Sequence, residues 1–237
     1  MFRPTLLLFL ALSLPFPGHA QQPAGAPASN TPSPGGKPSP HPSDPAVVLL
    51  SDAYQLLATK QPDAALEKAN AAVQIAPKSE AAYALRGTIY AEKKLLDQAE
   101  KDFQTALQLD GKNIQIKFDV AEIQFMQKKY DVARSSFAAL QQDPNMGDIA
   151  SYKVFLCDLF GGHQDAATKE FDVFNQAGRN ASYYFANIAW SLYHHKTEDG
   201  RGWLMSAASI YPPNKCLLYA TSLYDLGYLP LPPAPQQ

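Results

Sequence analysis

Small residues recur along this chain at intervals of 34. Ala53, Gly87 and Ala121 share one column, and Ala65, Ala99, Ala133 and Ala167 share a second. A third column holds Ala69, Phe103, Phe137 and Phe171, and a fourth holds Ala72, Ala106, Leu140 and Phe174. Pro77, Gly111 and Asn145 close the intervals. Several independent columns at one period mark a chain made of one supersecondary unit stacked on itself, since a single unit cannot bury its own apolar face. Each interval reads as two short helices. Ala or Gly stands where helix backbones approach, and a ring fills the gap one turn away. Gly87, Ala99 and Ala106 are therefore packing residues.

These columns resemble the tetratricopeptide repeat, a helix–turn–helix unit with aromatic, small and proline residues at set intervals. Residues 80–113 match best, with Tyr83, Gly87, Tyr90, Ala99, Phe103 and Ala106 in place. Gly111 stands there where Pro is usual, and Arg86 where Leu is usual. The unit at 46–79 keeps Ala53, Ala65, Ala72 and Pro77, and the one from Ile114 keeps Ala121, Tyr130, Ala133 and Phe137. A fourth rests on Ala167, Phe171 and Phe174. After a slip of one residue, "NASYYFANIAWSLYHH" and "EDGRGWLMSAASIYPP" read as a fifth pair, and "NKCLLYATSLYDLGYL" as a closing helix. The resemblance implies an all-α, right-handed α-solenoid of about five helix pairs plus a C-terminal capping helix. Clear repeats span 46–146, degenerate repeats and the cap span 147–229, and 230–237 is a frayed tail.

The amino terminus belongs to a different physical regime, since 11 of the 20 prolines fall within the first 45 positions. Arg3, an apolar run from Leu6 to Leu14, Pro15 and Pro17, then Ala20 follow the order of a secretory signal peptide, with cleavage expected after Ala20. The run is too short to span a bilayer, which needs about 20 residues. Residues 21–45 hold no aliphatic side chain larger than Ala and read as a disordered Pro-rich linker. Export is expected, to the periplasm first, with an extracellular or outer-membrane-associated location as the alternative.

Chemistry is sparse in the remainder. His163, His194 and His195 are the histidines of the folded part, and adjacent histidines project about 100° apart on a helix, unlike a ligand pair four residues apart. Cys157 and Cys216 fall in a fourth and a sixth first-helix, one whole unit apart, so two free thiols are expected. "LFGGHQD" lacks the Lys and Ser of a phosphate loop and reads as an interhelical turn. Loss of Arg3 with the leader leaves 19 basic against 22 acidic side chains, a poor balance for nucleic acid. No cofactor, metal or catalytic residue is expected. An enzyme would have to assemble its site from His163, His194, His195 and Asp199, and no spacing suggests that geometry.

What remains is the concave face, which in tetratricopeptide folds is lined by fixed positions of each first helix. The resemblance assigns to it Val47, Leu50, Tyr54 and Leu57; Ala81, Ala84, Thr88 and Ala91; Gln115, Phe118, Glu122 and Phe125; and Ile149, Tyr152, Leu156 and Leu159, followed by Phe185. Family members that clamp a C-terminal carboxylate carry Lys and Asn where Leu50 and Tyr54 stand here. The face is therefore expected to be an apolar groove for a protein partner, with Leu50, Tyr54, Leu57, Thr88, Phe118, Glu122, Phe125 and Tyr152 as contacts. A non-enzymatic assembly scaffold is the leading reading. The alternative is a self-assembling envelope protein, a homo-oligomer whose groove takes the cap or linker of a neighbouring copy.

Overall fold

The computed structural model describes residues 44–178 and 180–229. The leader, the Pro-rich segment up to residue 43 and the tail lie outside them. The described residues form eleven helices and no strand. They pair as α1 (Pro45–Ala58) with α2 (Pro62–Ile75), α3 (Glu80–Glu92) with α4 (Leu96–Leu109), and α5 (Ile114–Met126) with α6 (Tyr130–Ala138). Two further pairs are α7 (Gly147–Gly161) with α8 (Gln164–Ala177) and α9 (Ala181–Tyr193) with α10 (Thr197–Ile210), after which α11 (Pro213–Asp225) closes the array. Each helix packs on its chain neighbour, and first helices also pack on one another, α1 on α3 and α7 on α9. This is the all-α solenoid of five pairs and a cap that the repeat implies.

Helix starts explain the phasing. Asp44, Ser79, Asn113 and Asn180 each accept a bond from a backbone N–H in the first turn of α1, α3, α5 and α9, which satisfies a donor that the helix leaves unpaired. Asp44 and Pro45 thus belong to α1, two residues inside the stretch that composition assigned to the linker. The second helices have no side-chain cap. Their position is set by the turn before them.

A left-handed residue makes that turn in all five pairs. Lys60, Lys94, Lys128 and His195 take the left-handed conformation with φ of 62°, 60°, 61° and 59°, and Gly162 takes φ 88°. Around Lys94, its N–H donates to Ala91 O at 2.9 Å and the Leu95 N–H donates to Tyr90 O at 2.9 Å, the paired bonds that end a helix in a left-handed residue. The Lys60, Lys128 and His195 turns repeat both bonds. The turn residues therefore step by 34 three times and then by 33, which places the one-residue slip between Gly162 and His195. "LFGGHQD" is one of these turns.

Packing follows the columns. Ala53, Ala65, Ala99, Ala121, Ala133 and Ala167 are fully buried, as are Phe103 and Phe137. A methyl group added at Gly87 would stand 3.1 Å from the Phe103 ring, so the ring occupies the space that glycine leaves. Arg86 replaces the usual Leu by a polar knot: Nε and Nη2 donate to the two Asp102 oxygens at 2.6 and 2.9 Å, and Nη1 donates to Asn70 at 3.1 Å. It ties α2, α3 and α4 together where a leucine would only fill volume.

Candidate functional site: the inner face and the helix lying on it

The inner face is the surface of the first helices α1, α3, α5, α7 and α9. One of its columns runs Leu50, Ala84, Phe118, Tyr152 and, after the slip, Phe185. Leu50 is half-buried, whereas Phe118, Tyr152 and Phe185 are at most 1 % exposed. Over Tyr152 and Phe185 lies α11. Tyr219 stacks on Phe185 with ring centres 5.3 Å apart and lies 5.4 Å from Tyr152. Its hydroxyl donates to Asp148 Oδ2 at the start of α7. Asp148 Oδ1 also accepts from Ser182 Oγ at 2.8 Å and from Asn180 Nδ2 at 2.9 Å, so one carboxylate holds α7, α9 and α11 together.

One turn further along α11, Ser222 Oγ accepts from Lys153 Nζ at 2.6 Å, and the same ammonium donates to Glu122 Oε2 at 2.8 Å. Lys153 is 1 % exposed and its ammonium lies 6.0 Å from the centre of the Phe125 ring. A buried cation is tolerable only when paired in this way. One more turn on, Asp225 accepts from Lys94 Nζ at 3.1 Å. Tyr219, Ser222 and Asp225 are three residues apart and share one face of α11, which meets α7 and α9, then Lys153 of α7, which bridges to α5, then the turn before α4.

Burial sets the acid–base character of this seam. It pushes the Asp119 carboxyl up to about 8, with Glu122 adding to the rise and the Gln115 amide, 2.9 Å away, opposing it. Burial likewise raises Glu122, against the pull of Lys153. The Tyr219 phenol is raised by burial and then by its bond to Asp148, which keeps it a donor. Glu122 Oε1 and Tyr152 Oη are buried without a hydrogen-bond partner.

The eight residues expected to line an open groove therefore divide. Leu50 and Tyr54 are half-buried on α1. Leu57 and Thr88 are 2 % and 4 % exposed, and the Thr88 hydroxyl turns back to Ala84 O at 2.9 Å. Phe118, Phe125 and Tyr152 are at most 2 % exposed, and Glu122 is half-buried. Phe118 meets Phe137 edge-on at 5.2 Å, and Phe125 meets Tyr130 at 5.3 Å and Phe160 at 6.4 Å. Their expected exposure is corrected: the rings reach between helices, and α11 covers that end of the face.

The other residues of interest stay apart. His163 Nδ1 lies 3.0 Å from Asp158 Oδ1, which also accepts from Arg134 Nε at 2.8 Å, while Arg134 Nη2 lies 3.8 Å from Glu170. Burial and the Asp158 charge push Glu170 up to about 7. His194 Nδ1 lies 2.8 Å from Trp190 O, and His195 occupies the left-handed turn. No hydrogen bond or ion pair among the described residues joins His163 to His194, His195 or Asp199. Both cysteines are free thiols, Cys157 buried in α7 and raised by that burial, Cys216 half-buried in α11. A cleft of about 610 Å³ opens between the α1–α2 turn and the end of α3, where Lys60 pairs with Glu92 and Lys93 with Asp63. No described helix is long and apolar enough to cross a membrane.

Sequence reading missed Lys153, Ser222, Asp148, Tyr219 and Asp225. Two signals were present. Lys153 interrupts the apolar run "SYKVFLCDLF", as a buried and paired charge does, and Tyr219 follows Phe185 by 34, which continues the column.

No family model matches the chain, and no characterised sequence matches it. Solved structures do. The TPR protein YrrB, described as having an unusual peptide-binding site, superposes with a TM-score of 0.50 at 20% identity, covering 75% of this chain and 92% of its own. PilW, a type IV pilus biogenesis factor, gives 0.56 at 16% identity over 77% and 86%. A tetratricopeptide repeat protein from Parabacteroides merdae gives 0.54 at 18% identity over 78% and 74%. The repeated left-handed turns, the five helix pairs and these superpositions agree, and the chain has the tetratricopeptide-repeat fold.

Proposed function

We propose that this chain is an exported, non-enzymatic scaffold that binds a protein partner on its inner face, at the end formed by α1 and α3. The observation that carries this reading is the unequal cover of that face: α11 lies over α7 and α9, and the half-buried Val47 and Leu50 stand on α1 at the other end. Apolar side chains left accessible on a concave surface favour a peptide or an amphipathic helix as ligand. The peptide-binding site of YrrB supports the ligand class, and the pilus role of PilW, with the leader-like amino terminus, supports the envelope as compartment. The Pro-rich stretch serves as a tether in this reading.

The test is site-specific photo-crosslinking in envelope extract, with the reactive amino acid at Tyr54 or, as the control, at the 61 % exposed Val173 on α8. A discrete adduct from position 54 and none from 173 supports the reading. Identical adducts from both positions, or none from 54, overturn it.

A further inference from the structure

The way α11 is held differs from the way the inner helices beside it are held. Tyr219, Ala220, Ser222 and Leu223 of α11 are buried, against ten residues each in α7 and α9. Its connection to α10 is Tyr211 and Pro212, both extended, with ψ of 146° and 153°. Its contact with α10 is slight, and its fixed points are side chains of distant helices: Asp148, Lys153 and Lys94. A terminal element with slight contact to its chain neighbour, held by a few side chains of distant elements, is the kind that opens first.

The fit is also incomplete. Glu122 Oε1 and Tyr152 Oη stay buried and unpartnered beneath α11, and an unpaired buried polar atom works against whatever covers it. The inner face nevertheless receives a helix: a ring pair for an aromatic, a carboxylate for its hydroxyl, an ammonium for a small hydroxyl and a second ammonium for an acid. On these grounds we infer that the α5–α7–α9 face is a helix-binding channel of which α11 is a displaceable occupant. Its partner is an amphipathic helix that presents an aromatic hydroxyl, a small hydroxyl and an acid at successive three-residue steps. The inference rests on the scaffold reading and extends it: the partner reaches α1 and α3 first, and displacement of α11 then opens the rest of the face.

Two measurements on the full chain test it. Amide hydrogen exchange should show α11 exchanging about a hundredfold faster than α7. Equal protection of the two helices overturns the inference. In the second, a fluorescent peptide with the sequence of residues 211–229 is titrated against the wild-type chain and against a Tyr219→Ala, Ser222→Ala chain whose fold is checked by circular dichroism. The variant should bind the peptide at least about tenfold more tightly, because its own helix competes less, and a peptide carrying Tyr219→Ala should lose that gain. Equal affinity for both chains, or undiminished binding of the altered peptide, overturns the inference. If the variant chain does not fold, the exchange measurement decides alone. Failure of the scaffold reading leaves a different trace, since the crosslink at position 54 disappears while both measurements here stand.

Discussion

In the first two helix pairs the inner column consists of Leu50 and Ala84; in the next three it consists of Phe118, Tyr152 and Phe185. The cores differ in step. Residues of the first pairs fall into small separate clusters, such as Ala53, Leu57, Ala65, Ala69, Leu85 and Ile89, whereas one cluster runs from Phe118 to Leu229. Small residues let backbones close on one another and leave the inner face as it is. Rings cannot be satisfied pairwise, so each one in the later units needs a neighbour from another helix, and α11 supplies the last of them. Sequence degeneracy in the later repeats is thus a change in packing strategy and not a loss of it.

The comparison can be broken most directly by truncating one inner-face side chain at each end. Phe125→Ala, in the shared cluster, should cost about 3–5 kcal/mol in urea unfolding, whereas Leu50→Ala should cost about 1 kcal/mol or less. Similar losses at both positions would mean that the two ends are packed alike.

A pH titration sharpens the contrast. Asp119 and Glu170, on α5 and α8, have carboxyls raised to about 8 and about 7. The unfolded chain releases these protons near pH 4 and the folded chain keeps them, so the stability that these two groups contribute is full below about pH 4 and is lost as pH rises from about 4 to about 8. The loss should be on the order of a few kcal/mol, and Asp119→Asn should flatten most of it. An unchanged slope in that variant would remove Asp119 as its source.

Smaller effects probe the repeat itself. Gly87→Ala presses a methyl against the fully buried Phe103 ring and should destabilise by about 1–2 kcal/mol, read as a lower urea midpoint. Lys128→Gly relieves a left-handed lysine and should stabilise by about 1 kcal/mol. A neutral result there would show that the turn tolerates its side chain without strain.

The fold was legible because repetition multiplies weak signals: no single Ala predicts a helix contact, but Ala65, Ala99, Ala133 and Ala167 at one spacing do. Even the slip was visible as a shift in phase. The site was less legible, since which inner residues remain accessible depends on where the last helix goes. Nothing in "NKCLLYATSLYDLGYL" states that Ser222 meets Lys153, which lies 69 residues away, or that Asp225 meets Lys94, 131 residues away. The position-by-position rule for the concave face assigns Phe118 and Phe125 to it by register, but register does not say what covers a side chain.

The Lys94–Asp225 pair has a consequence for how the molecule comes apart. A linear repeat array transmits force and unfolding from neighbour to neighbour, so it frays at its ends and loses units one at a time. Here the last helix reaches back to the turn of the second pair, so the three intervening pairs lie inside a closed circuit of contacts. Such a circuit must open at α11 before the last units can peel away, and the chain then behaves in sequence: a latch first, a zipper afterwards.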